Sequence, residues 1–137
     1  MTQLREIMTP TPVSIAPSTS VVDTARVMKE YDIGSIPVAE NGNLLGIVTD
    51  CDLVVRGIAE TSIDTQIRDI MSPEVVFLSP QDDLLQAEET MARHGIRRLP
   101  VCDGSRLVGI VSVGDVAVQG SEQAAGEVME EAGPRSR

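Results

Sequence analysis

Apolar and polar positions alternate along this chain with two different periods, and the whole pattern occurs twice. Val13 to Ile15 and Val76 to Leu78 are short apolar runs, each closed two residues later by a proline (Pro17, Pro80), which predicts two brief strands. Helical spacing follows: Val21, Ala25, Met28 and Leu84, Glu88, Met91 recur at that interval and predict helices over 21–31 and 84–94, the second with the more polar face. Ser20 with Asp23, and Asp83 with Gln86, stand at the spacing of a capping box just where those helices open. Ile36 to Ala39 and Leu99 to Cys102 then read as strands beginning near a proline. Turns at Asn41-Gly42-Asn43 and Asp103-Gly104-Ser105 fold them into hairpins with Leu44 to Val48 and Leu107 to Val111. Those second strands run straight into helices starting near Asp50 and Val113, so each half reads strand, helix, strand, strand, helix.

Sliding the chain by 63 residues aligns 4–54 with 67–117 without a gap, and 15 of the 51 pairs are identical, including Met8 with Met71, Gly46 with Gly109 and Asp52 with Asp115. The expected organisation is a repeat over 4–60, a second over 67–118, and a mobile tail over 119–137 rich in Glu, Ala and Gly. A half of about 50 residues buries too little surface to stand alone. The halves are therefore expected to share a core about a pseudo-two-fold axis and to form paired clefts, with the short polar stretch 59–66 joining them rigidly. The fold class is α/β (α+β).

Composition narrows the function. The chain has 137 residues, 42% of them hydrophobic, and a net charge of −10, which repels phosphate backbones and anionic lipid, so no nucleic acid and no membrane partner is expected. Apolar runs last about five residues, against roughly 20 for a bilayer span. Tyr31 and Phe77 are the only aromatic residues, so any nucleobase would lie between aliphatic side chains. The N-terminus lacks a secretory pattern, which points to the cytoplasm and to Cys51 and Cys102 as thiols with a packing role. With His94 they make no zinc spacing, and no cofactor is required.

The sharpest chemical signal is the end of each hairpin, Gly46-Ile47-Val48-Thr49-Asp50-Cys51-Asp52 and Gly109-Ile110-Val111-Ser112-Val113-Gly114-Asp115. A carboxylate there can accept from both hydroxyls of a ribose, and a hydroxyl beside free amides at a helix start favours phosphate. The same pairs, Thr49 with Asp52 and Ser112 with Asp115, also have capping-box spacing and could simply tie off the helix ends; the motif leaves both readings open. Arg97 and Arg98, with Arg93 and Arg106 near in sequence, form the one basic cluster, suited to an anionic ligand or an acidic partner, or to a solvated face pairing with Glu88 and Glu89. Gly34 and Ser35 hold the matching positions of the first half, so the two sites should differ. Catalysis finds little support: His94 sits near a helix end, Asp50 and Asp52 do not share a helical face, and no nucleophile elbow or phosphate-loop lysine occurs.

The doubled Ile-Met-[Thr/Ser]-Pro, then [Ile/Leu]-Pro-Val, then Leu-x-Gly-Ile-Val-[Thr/Ser]-x-x-Asp resembles the cystathionine-β-synthase (CBS) domain in its tandem form, the Bateman module, over about residues 4 to 118. It looks most like small stand-alone bacterial pairs. The resemblance implies a regulatory module, not an enzyme, that binds AMP, ADP, ATP or S-adenosylmethionine between the repeats. It would put the ribose on Asp52 or Asp115, phosphate near Thr49, Ser112, Arg97 and Arg98, and adenine against Thr11, Pro12, Val13, Ile36, Pro37 and Val38, or against Glu74, Val75, Val76, Leu99, Pro100 and Val101. Cys51 departs from the arginine frequent in the family's Thr-Asp-Arg-Asp form. A homodimer is also implied, with Leu53, Val54, Val116 and Val118 as contacts, along with a possible regulated protein partner. The rival reading is a ligand-free interaction or structural dimerisation module.

Overall fold

The computed structural model describes residues 2–59 and 64–119; all of the expected tail beyond Gln119 lies outside the described residues. The architecture is mixed helix and antiparallel strand: a 3-10 turn (Leu4–Glu6), β1 (Thr9–Pro10), α1 (Val21–Tyr31), β2 (Ser35–Glu40), β3 (Asn43–Thr49), a π-helix (Asp52–Ile58), a second 3-10 turn (Ile67–Asp69), α2 (Leu84–His94), β4 (Arg98–Asp103), β5 (Arg106–Ser112) and α3 (Val113–Gln119).

Local chemistry explains the boundaries. Ser20 Oγ accepts from the Asp23 amide at 3.0 Å and opens α1. Asp83 and Gln86 make the full reciprocal box on α2, at 2.9 and 3.1 Å. Each helix ends on a left-handed residue, Asp32 (φ 53°) or Gly95 (φ 63°); only the glycine adopts that conformation without crowding a Cβ. The first hairpin turns on Asn41 and Gly42, both at positive φ (54° and 84°), the geometry whose twist matches paired strands.

The described residues form two compact units, which are not the two sequence repeats. One unit is Val13–Val75. The other joins the residues up to Pro12 to those from Val76 onward. Each hairpin unit is closed by a leader segment drawn from the other repeat. In the first-hairpin unit, the Ile67 amide donates to the Thr19 carbonyl at 2.8 Å and Arg68 to Pro17 at 2.9 Å, while Ser72 bridges to Ile47. In the second, the Leu4 amide donates to Asp82 at 2.8 Å and Arg5 to Pro80 at 3.1 Å, while β1 pairs with β5 through Thr9–Ile110 and Pro10–Gly109. Burial gives the reason: Leu4 and Ile67 are fully enclosed, each in the core of the unit that it closes.

The expected strands at Val13 to Ile15 and Val76 to Leu78 are corrected to single parallel bridges, Ile15 with Val38 and Leu78 with Val101. Ile15 donates to the Pro37 carbonyl and accepts from Ala39, and Leu78 does the same with Pro100 and Cys102. Pro17 and Pro80, both buried, end the run before a ladder can grow. The first core gathers Ile15, Val21, Met28, Ile36, Val38, Val48, Leu53, Ile67 and Ile70. The second gathers Leu4, Ala87, Met91, Leu99, Val101, Val111, Val113 and Val116. Both are aliphatic, as the near-absence of aromatic residues requires.

Candidate functional site

Each hairpin delivers its last strand directly into a helix, and the junction carries the same pair of side chains. In the first unit the Asp52 carboxylate accepts from the Thr49 amide through Oδ2 at 2.9 Å, and the Asp52 amide donates back to Thr49 Oγ1 at 3.2 Å. In the second, Asp115 Oδ2 accepts from the Ser112 amide at 2.9 Å and the Asp115 amide donates to Ser112 Oγ at 3.2 Å. The capping box is therefore formed in both units. It does not exhaust the carboxylates: Asp52 and Asp115 are half-buried, and Oδ1 of each has no hydrogen-bond partner among the described residues. The box fixes the rotamer and leaves one oxygen able to accept from a guest.

The two junctions have equivalent backbones and different neighbours. The Asp50 amide donates to the Gly34 carbonyl at 2.9 Å in the first unit, and the Val113 amide to the Arg97 carbonyl at 2.9 Å in the second. In register, Ser35 lies opposite Thr49 and Arg98 opposite Ser112. Arg97 and Arg98 thus stand at the same end of the second hairpin as Ser112 and Asp115. Arg97 Nη1 is buried with no hydrogen-bond partner, and neither arginine forms an ion pair among the described residues, so pairing with Glu88 and Glu89 does not account for them. A guanidinium N–H withdrawn from water and left without an acceptor is costly, and an anionic oxygen would relieve it.

Thr11 adds a second irregularity to this unit. It follows β1 at φ 49°, a left-handed conformation unfavourable for a β-branched residue, and the Pro12 after it makes that conformation harder still. Its repeat counterpart, Glu74, is not among the residues at positive φ. Strain of this kind persists where the surroundings over-determine the backbone, commonly beside a site.

The remaining sequence-derived positions divide between the units. Val13, Ile36, Pro37, Val38 and Val75 belong to the first, and Thr11, Pro12, Val76, Leu99 and Pro100 to the second. Ile36, Val38 and Leu99 are fully buried core side chains, and the Pro37 and Pro100 carbonyls already accept from Ile15 and Leu78. Among these ten residues Thr11 is exposed, while Pro12, Val13, Val75 and Val76 are half-buried.

The cysteines behave differently from the common packing role expected of them. Both are free thiols; Cys102 is buried, and desolvation pushes its pKa up to about 11. Cys51 is exposed because it lies on the outer side of the first helical turn, so the packing assignment is corrected for it. The expected dimer contacts also divide. Leu53 (5% exposed) and Val116 (0%) are core residues, whereas Val54 (57%) and Val118 (78%) face outward, since neighbouring helical positions point to different sides.

The first unit also contains a feature absent from the sequence reading. A groove of about 440 Å³ runs between α1 and the π-helix, lined by Val22, Ala25, Leu53, Val54 and Ile58 with Arg26 and Lys29 among its residues. Its signal was present at helical spacing in Val22, Ala25, Arg26 and Lys29, but spacing could not say which helix face stays uncovered.

Helices laid on antiparallel hairpins, made twice by one chain with the same Gly-Ile-Val-[Thr/Ser]-x-x-Asp junction, define a tandem-repeat module. The chain belongs to the CBS-domain family: the family model described as "CBS domain" matches residues 4–57 and 67–119. It is 38% identical over 131 residues to the CBS domain-containing protein YhcV of Bacillus subtilis, covering 94% of each chain. Among solved structures it resembles Hypoxic Response Protein I with two coordinated zinc ions (28% identity, TM-score 0.78, 85% of this chain and 98% of that one). It also resembles CBSX2 in complex with AMP (27% identity, TM-score 0.76, 85% and 94%). Among this chain's described residues, no group of three or more His, Cys, Asp and Glu could hold a metal ion, and no helix is long and apolar enough to cross a membrane.

Proposed function

We propose that the chain is a regulatory module that binds an adenosine phosphate at the junction built by β4, β5 and α3. The observation that carries the reading is the buried, unpartnered Nη1 of Arg97, a residue whose carbonyl accepts from the Val113 amide at the hairpin end that also holds Ser112 and Asp115. In this reading Arg97 and Ser112 hold the phosphate, Asp115 Oδ1 accepts from the ribose hydroxyls, and adenine lies on aliphatic and backbone groups near Thr11, Pro12 and Val76. The AMP bound by CBSX2 supports the ligand class. Electrostatics favours a phosphate over S-adenosylmethionine, because Arg97 and Arg98 repel a sulfonium. The first-hairpin junction, with Gly34 and Ser35 in place of the two arginines, is the weaker site. Regulation requires that the nucleotide prefer one arrangement or association state of the protein over another, and no reaction is assigned to it. We further infer that copies associate as homodimers through exposed apolar helix faces, among them Val54, Val55 and Ile58.

Calorimetry tests the site. AMP should bind the wild type, and Arg97→Ala should weaken it by about 10- to 100-fold, the worth of a charge-assisted contact, while leaving adenosine binding unchanged. Flat titrations of AMP, ADP and ATP into wild-type protein would remove the reading.

A further inference from the structure

Met8 and Met71 hold equivalent places in the two leader segments, and each lies across a strand glycine of the hairpin that its leader closes. The seats are close. A Cβ at Gly46 would stand 2.8 Å from Met71 Sδ and 2.7 Å from the Ser72 carbonyl oxygen. At Gly109 it would overlap Met8 Sδ and stand 2.8 Å from Met8 Cγ, so the side chain rests directly on the strand backbone. Each of these methionines also packs on the aliphatic core of its own unit, yet both are only half-buried. Met28 and Met91, on α1 and α2, are 7% and 0% exposed. An oxidant in solution therefore meets the two leader sulfurs before the two helix sulfurs.

The chain beside the two leader methionines differs. Three residues after Met8 it passes through Thr11 at φ 49°, just before Pro12, a conformation that Thr11 would abandon for an extended one once its surroundings released it. Glu74, three residues after Met71, is not at positive φ.

We propose that Met8 is a modification site for peroxides, a latch whose oxidation to the sulfoxide releases the first leader from the second hairpin unit. The thioether sulfur attacks one oxygen of hydrogen peroxide; an S–O bond forms, the O–O bond breaks, and the other oxygen takes both protons and leaves as water. Sulfur gives up two electrons and the peroxide accepts them. An oxygen on the side facing Gly109 has no room, and on any side it makes polar an atom that packs on an apolar core. Solvation of the sulfoxide and relief of Thr11 both favour the released leader. Met71 accepts the same oxygen, but no strained residue follows it, so its leader stays seated more firmly. Release would also weaken AMP binding, because Thr11 and Pro12 leave with the leader; this consequence alone rests on the ligand reading above.

Peroxide treatment of the full chain in a Cys51→Ser background, read by peptide mass and hydrogen exchange, tests the latch. Met8 and Met71 should oxidise about tenfold or more faster than Met28 and Met91. After oxidation, exchange should quicken about tenfold in α2, β4 and β5 and less in α1, β2 and β3, and methionine sulfoxide reductases should reverse it. Met8→Leu keeps the volume without the sulfur and should abolish the quickening in α2, β4 and β5, whereas Met71→Leu should not. Calorimetry should show AMP held more weakly by oxidised than by reduced protein, with no such difference in Met8→Leu. Oxidation of Met8 as slow as that of Met91, equal quickening in both units, or undiminished quickening in Met8→Leu overturns the latch. Reduced protein that binds no AMP removes the ligand reading alone, since exchange still decides the latch.

Discussion

The two hairpin units share a backbone plan and diverge where chemistry is possible. Both close with a leader segment from the other repeat, both seat a methionine over a strand glycine (Met71 on Gly46, Met8 on Gly109), and both lock an aspartate with a reciprocal box. Among the described residues, only the second carries arginines at the hairpin end, an orphaned guanidinium nitrogen and a strained Thr11. The first continues its junction into a π-helix, with an apolar groove alongside. The same backbone plan thus occurs twice in the chain with different side chains at the two hairpin ends.

The largest expected effect tests the crossed closure of the units. Leu4→Ala removes a fully buried side chain and should cost about 3 kcal/mol. Hydrogen exchange should then quicken in α2, β4 and β5 more than in α1, β2 and β3, although Leu4 lies in the first sequence repeat; Ile67→Ala should give the reverse pattern. Equal acceleration in both units would mean the leaders do not belong to the units described.

The caps come next. The Asp83 and Ser20 side chains each accept one backbone N–H, so Asp83→Ala and Ser20→Ala should each cost about 1 kcal/mol, read by urea denaturation. The smallest effect concerns the thiols. In native protein at mildly alkaline pH a thiol reagent should label Cys51 rapidly and Cys102 only after unfolding. Folding raises the Cys102 pKa from 9.0 to about 11, so between those values the unfolded chain holds fewer protons than the folded one. This group's contribution to stability is complete below pH 9 and falls as pH rises towards 11. Cys102→Ala should flatten that decline.

Much of the plan was legible in one chain. The 63-residue offset, the proline and Asn-Gly punctuation and the capping pairs located both helices, both hairpins and both strand-to-helix junctions, because these depend on local propensity and on periods a few residues long. The brief strands after Val13 and Val76 were over-read, since an apolar run ended by proline looks alike whether it forms a ladder or a single bridge. Core and surface positions in the helix after each hairpin were not separable for a similar reason: Leu53 and Val54 are adjacent in sequence, and only packing shows which one the core takes.

The sequence by itself determined the duplication, the order of elements, the aliphatic core and the chemical types available at each hairpin end, since covalent neighbours and side-chain chemistry set those. Tertiary structure alone decided that Leu4 serves the second hairpin and Ile67 the first, that an Arg97 nitrogen is buried without a partner, and that α1 borders an open groove. Each of these turns on burial and on contacts between residues distant along the chain, which no short-range pattern encodes.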